Sequence, residues 1–93
     1  MSKKQPFAYV TIFYDRSDPS NPGWAYNCID SEGEHTSGAL NARRINAKLP
    51  SLHRALKREF RYAGFSIPPA YDFHPSHEGL GWECGTFPTR GAK

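Results

Sequence analysis

The segment DFHPSHEGLGWEC holds the side chains best suited to chemistry: Asp72, His74, His77, Glu78, Glu83 and Cys84. Two histidines three apart, with a cysteine seven further on from the second, are metal-capable residue types. Their spacing matches no common structural zinc pattern, having neither a paired Cys-x-x-Cys nor a Cys-to-His finger. Cys28 could complete a four-ligand set only if its strand lies beside this segment. The same residues could serve acid–base chemistry, with His74 or His77 as base, Asp72 or Glu83 orienting it, and basic residues elsewhere holding a phosphodiester. That constellation would make a small nuclease or metal-dependent enzyme. Histidines in a loop rich in Pro and Gly, however, ordinarily serve as polar surface or as turn hydrogen-bond partners. The expectation is therefore a non-enzymatic protein without metal or cofactor. Cys84 is expected to be a small buried residue rather than a nucleophile. In a reducing cytoplasm Cys28 and Cys84 read as two separate thiols, although the sequence leaves a disulfide open.

A second group is defined by charge. LHRALKREFRYAGF, residues 52–65, carries Arg54, Lys57, Arg58 and Arg61. With Arg43, Arg44 and Lys48 they make seven cations between Arg43 and Arg61, against the single acid Glu59. The rest of the chain is net acidic, and Asp15 to Glu34 has five acids against Arg16. An inert helix face usually mixes signs, because like charges three or four positions apart repel by a few tenths of a kcal/mol per pair. Arg54–Arg58, Arg54–Lys57, Lys57–Arg61 and Arg58–Arg61 are all such pairs. Folding gains nothing from that arrangement, whereas an anionic partner would. The excess of Arg over Lys suits bidentate contacts to phosphate or carboxylate. Tyr62 and Phe65 lie beside the stripe and could stack on bases, although core or cap roles are the commoner use of such rings.

The elements that must position these groups follow from residue pattern. FAYVTIFY, Phe7 to Tyr14, is β-branched or aromatic almost throughout, and both of its alternating sets are apolar. It reads as a central strand, or one covered on each side. DRSDPSNPG is a loop by turn chemistry and a candidate contact loop for a partner with a basic surface. WAYNCID reads as a second strand, SEGE as a turn near Gly33, and HTSGAL as a third strand of a meander. Asn41 to Leu49 has helix-favouring residues and predicts a short helix or helical lead-in. Pro50 interrupts it and suits the first turn of the next helix, with Ser51 as a capping hydroxyl. From about Ser51 to Ala63, Leu52, Leu56, Phe60 and Ala63 fall within an arc of roughly 80°. The four cations occupy an arc of roughly 100° nearly opposite. Gly64 reads as the C-cap. Beyond Phe65, AYDFH and GWECGTF read as short strands around the loop PSHEGLG.

Ninety-three residues with 38% apolar side chains, including six Phe, five Tyr and two Trp, suffice for one small domain. The termini, residues 1–6 and 88–93, are expected to be flexible. No run approaches the ~18 apolar residues of a membrane span, and the basic N-terminus lacks the apolar stretch of a signal peptide, so the expected location is cytoplasmic. The fold class expected is α+β, a small antiparallel sheet of about three to five strands with one amphipathic helix packed on one face. The function expected is binding without chemistry. Arg43, Arg44, Lys48, Arg54, Lys57, Arg58 and Arg61 would dock on nucleic acid or a nucleic-acid-binding protein complex, an acidic protein surface being a further possible partner. Small size, split charge and the lack of a catalytic signature are similar in type to the accessory proteins of phages and mobile elements, including anti-CRISPR proteins. That likeness implies the alternative of an inhibitor blocking a partner protein's site, and no residue motif carries it.

Overall fold

The β-branched and aromatic run after Phe7 becomes the middle of a sheet. The computed structural model describes residues 5–17, 19–62, 64–76 and 79–85. In chain order it contains β1 (Gln5–Pro6), β2 (Tyr9–Asp15), β3 (Gly23–Ile29), β4 (His35–Ala39), α1 (Leu49–Glu59), β5 (Phe65–Ser66), a 3-10 turn (Ala70–Asp72), β6 (His74–Pro75) and β7 (Gly81–Gly85). Five strands form an antiparallel sheet in the order β4-β3-β2-β7-β6. Strand β2 pairs with β3 from Tyr9↔Ile29 to Asp15↔Gly23, and with β7 from Tyr9↔Gly85 to Phe13↔Gly81. A short parallel pairing joins β1 to β5. One helix and a five-stranded antiparallel sheet make a small α+β fold, as the residue pattern predicts. Among the described residues no helix is long and apolar enough to cross a membrane.

Register assigns the two faces of the sheet, because directly paired residues point to the same side. Val10, Ile12, Trp24, Tyr26, Cys28 and Cys84 share the face that packs against Leu52, Leu56 and Phe60 of the helical segment. Leu52 and Leu56 are wholly buried, a gain of about 1.5–3 kcal/mol each. The core is stitched by ring contacts: Phe7 meets Phe60 edge-on at 5.2 Å and stacks on Phe65 at 4.5 Å, and Tyr26 meets Phe60 at 5.4 Å. The opposite face carries Tyr9, Thr11, Phe13, Asn27 and Glu83. Ile29 and Ala25 are buried there, while Phe13 keeps 37% of its surface. Strand β2 is thus central, but its second face stays partly open.

Three local expectations give way to tertiary forces. Of Asn41 to Leu49 only Leu49 is helical. The backbone of Trp24 donates to the Ala42 carbonyl at 3.0 Å, and its indole N–H donates to the Arg44 carbonyl at 2.7 Å. These bonds to Trp24 tie Ala42 and Arg44 to the sheet, and the segment runs as a loop. Helix α1 starts after Lys48, which makes no side-chain capping bond, with Pro50 in its first turn; Ser51 lies inside the helix rather than capping it. The helix ends at Glu59, because Phe60 leaves helical geometry (φ −108°, ψ 20°) to enter the core. Gly64 therefore caps nothing, and Ala63 lies outside the described residues. In AYDFH, Ala70–Asp72 is a 3-10 turn and only His74 joins a strand. Thr86 and Phe87 lie outside the described residues. So do residues 1–4 and 88–93, the greater part of the expected flexible termini.

The turns elsewhere follow their chemistry. Asp30 Oδ1 accepts the backbone N–H groups of Glu32 and Glu34, and Gly33 supplies a positive φ of 88°. Cys28 and Cys84 are free and buried. They flank Val10 on adjacent strands, which sets their Cα atoms about 9–10 Å apart, beyond the ~7 Å reach of a disulfide. Burial pushes the Cys28 thiol up to about 12 and raises that of Cys84, with the Asp72 charge contributing to the latter. Both thiols should therefore resist alkylation at pH 8 in the native state and react fully in denaturant. Rapid native labelling of either would contradict this packing.

Candidate functional site

The outer face of α1 inherits its composition from the helical period that buries Leu52 and Leu56. Arg54, Lys57 and Arg58 are exposed on that face, and Arg61 follows in the turn beyond it. Together with Pro50, His53 and Ala70 these four cations line one open groove of about 700 Å³. Among the described residues, none that lines it is acidic. The second wall is brought up from the 3-10 segment. The His53 ring donates from Nε2 to the Pro68 carbonyl at 2.6 Å and meets Phe73 edge-on at 5.8 Å. A carbonyl can only accept, so this contact fixes the hydrogen on Nε2. His53 is thus a strut between the groove walls.

The remaining cations gather in a neighbouring hollow. Arg43, Arg44 and Lys48 line a space of about 370 Å³ with Ala42, Asn46, Ala47 and Ser51. Trp24 sets this loop through its bonds to Ala42 and Arg44, and the Tyr14 hydroxyl donates to the Arg43 carbonyl at 3.4 Å. Pro50 lines the first hollow and Ser51 the second, so the two adjoin at the first turn of α1. That turn contains no acidic residue, and the positive end of the helix dipole adds to the local field. Lys57 and Arg58 occupy the last turn, where cations are favoured. All seven cations singled out from the sequence thus line two adjoining concave surfaces.

The acidic half of the chain is occupied differently. Asp15 accepts the Ser17 backbone N–H at 2.9 Å, and hydrogen bonds from Ser17 hold its carboxyl below the usual range. Asp30 binds its own turn as described above. Beside the β2–β3 loop, Tyr14, Arg16, Pro19, Pro22, Arg43 and Ile45 line a further hollow of about 490 Å³.

Of the residues that invited a catalytic or metal role, the fold pairs His74 with Glu83 and sets the Asp72 charge near Cys84. His74 faces Glu83 across β6 and β7, on the sheet face away from α1. Glu83 accepts from the Tyr9 hydroxyl at 2.7 Å; burial first, and then Glu83, push that phenol up to about 12. Cys84 points into the core, and Asp72 is exposed on the 3-10 turn. His77 and Glu78 lie outside the described residues. Among the described residues no group of three His, Cys, Asp or Glu side chains could hold a metal ion. The basic groove and His74 therefore lie on opposite sides of the sheet.

Two features of the groove had no clear sequence signal. One is the lining supplied by Ala70, whose segment His53 ties down through the Pro68 carbonyl. The other is the divergence of two rings the sequence treats alike: Tyr62 is exposed while Phe65 stacks on Phe7. No protein-family model, curated protein or solved structure matches the chain.

Proposed function

We propose that this protein is a non-enzymatic binder that docks on nucleic acid, free or within a nucleoprotein assembly, through the cationic groove on α1. The observation that carries the reading is that, among the described residues, four cations and no acid line one concave surface. Folding does not require that concentration of charge, since the core is made by the opposite side of the helix. Arg43, Arg44 and Lys48 extend the surface at its adjoining end. A polyanion on this surface releases condensed counterions as phosphates are neutralised.

The test is a salt series on binding to random-sequence oligonucleotides. If the four groove cations engage four phosphates, log Kobs should fall against log salt with a slope of roughly −3 to −4. No measurable binding at ~50 mM salt removes the reading. A second reading is an inhibitor that covers the acidic or nucleic-acid site of a partner protein. It draws on the exposed Ile45, which shares a hollow with Pro19, Pro22 and Arg43. A stoichiometric protein retained from nuclease-treated lysate, together with absent oligonucleotide binding, favours that alternative.

A further inference from the structure

Two tyrosines that follow groove-lining residues in sequence stand almost free of the protein. Tyr62 keeps 92% of its surface and Tyr71 keeps 87%. Each follows directly on a lining residue, Tyr62 on Arg61 of the helical wall and Tyr71 on Ala70 of the opposing wall. Neither ring belongs to the core. The Arg61 guanidinium lies 5.8 Å from the centre of the Tyr62 ring, so charge and ring face are presented side by side.

We infer that the groove takes single-stranded nucleic acid, with Tyr62 and Tyr71 as base-stacking residues. This rests on the nucleic-acid reading above and names its substrate class. Paired bases in a duplex hide their faces in the helical stack, and an exposed tyrosine finds nothing there to cover it. A single strand offers both a phosphate line for Arg54, Lys57 and Arg58 and unstacked bases for flanking rings. Stacking of this kind tolerates any sequence, since every base has a π-face. A cationic groove with exposed aromatics adjacent in sequence to its lining residues offers both. Both rings lie outside the buried core, so replacing them should leave the fold intact.

The experiment compares oligothymidylate, a mixed-sequence duplex of equal length and a heparin fragment, which has charge but no bases. Wild-type protein should bind the single strand at least ~10-fold more tightly than the duplex. Tyr62→Ala and Tyr71→Ala should each weaken single-strand binding by roughly 5- to 150-fold. Their salt slopes and heparin binding should stay as in the wild type, and Tyr62→Phe and Tyr71→Phe should restore the affinity. Equal binding of strand and duplex, unaffected by both alanine variants, overturns the inference while leaving the groove as a polyanion surface. Equal losses on heparin and on the single strand also overturn it, because heparin offers nothing to stack on. Absence of binding to all three probes removes both the groove reading and this one.

Discussion

Replacing Arg54, Lys57 and Arg58 together with glutamine should weaken oligonucleotide binding by roughly 10²- to 10³-fold at ~50 mM salt and lower the salt slope by about 2–3. The fold should persist, and the magnitudes say why. Neutralisation relieves two like-charge pairs inside α1, Arg54–Lys57 and Arg54–Arg58, each worth about 0.2–0.5 kcal/mol. It also removes two cations, Lys57 and Arg58, from the last turn of α1, at a cost of about 0.3–1 kcal/mol each. The opposing terms partly cancel, so the unfolding free energy should stay within about 1 kcal/mol of wild type. Arg54→Gln alone relieves repulsion without touching the last turn, and should stabilise slightly. Titration by fluorescence anisotropy beside urea unfolding reads both quantities. Undiminished affinity in a folded triple variant would remove the groove from the function.

Gly81→Ala should lower the unfolding free energy by about 3 kcal/mol or more, a large part of a small domain's stability. A Cβ at Gly81 would lie 2.1 Å from the Ile12 carbonyl oxygen and 3.0 Å from the Phe13 Cα. Both obstacles are backbone atoms of the central strand, so no side chain can swing aside. Strand β7 must move off β2, taking Trp82 and Cys84 from the core with it. Gly79 is the internal comparison. It also has a positive φ, +70°, but a Cβ there meets nothing within 4 Å. Gly79→Ala should cost only about 1 kcal/mol, the ordinary strain of that backbone region. Urea midpoints of the two variants make the check, and equal losses would contradict the close β2–β7 approach.

Strand positions were legible because side-chain type and alternation suffice for them. The strand read as Phe7–Tyr14 is Tyr9–Asp15, and the one read as Trp24–Asp30 is Gly23–Ile29. The cationic face of α1 was legible for the same reason, since one helical period sorts Leu52 and Leu56 inward and the charges outward. What escaped depended on partners distant in sequence. The Asn41–Leu49 stretch has helix-forming residues, but the peptide N–H and indole of Trp24 bond the Ala42 and Arg44 carbonyls and tie it to the sheet. The end of α1 is set by Phe60 turning toward Phe7 and Tyr26, with no glycine to announce it. The groove's second wall required His53 to reach Pro68. Local propensity contains none of these three contacts.

The order of the strands bears on how the chain reaches its native state. Strand β2 gains one neighbour, β3, across a single hairpin, but the other only when Gly81–Gly85 returns beside Tyr9–Phe13. That second pairing closes a loop spanning most of the polypeptide, and its entropy must be lost before the contacts reward it. Until then β2 is an open edge of aromatic and β-branched residues, a template on which another chain could add. Collapse of Leu52 and Leu56 onto Val10 and Ile12 shields only one side of that edge. Refolding yield should therefore fall as protein concentration rises, with light scattering during dilution from urea as the readout.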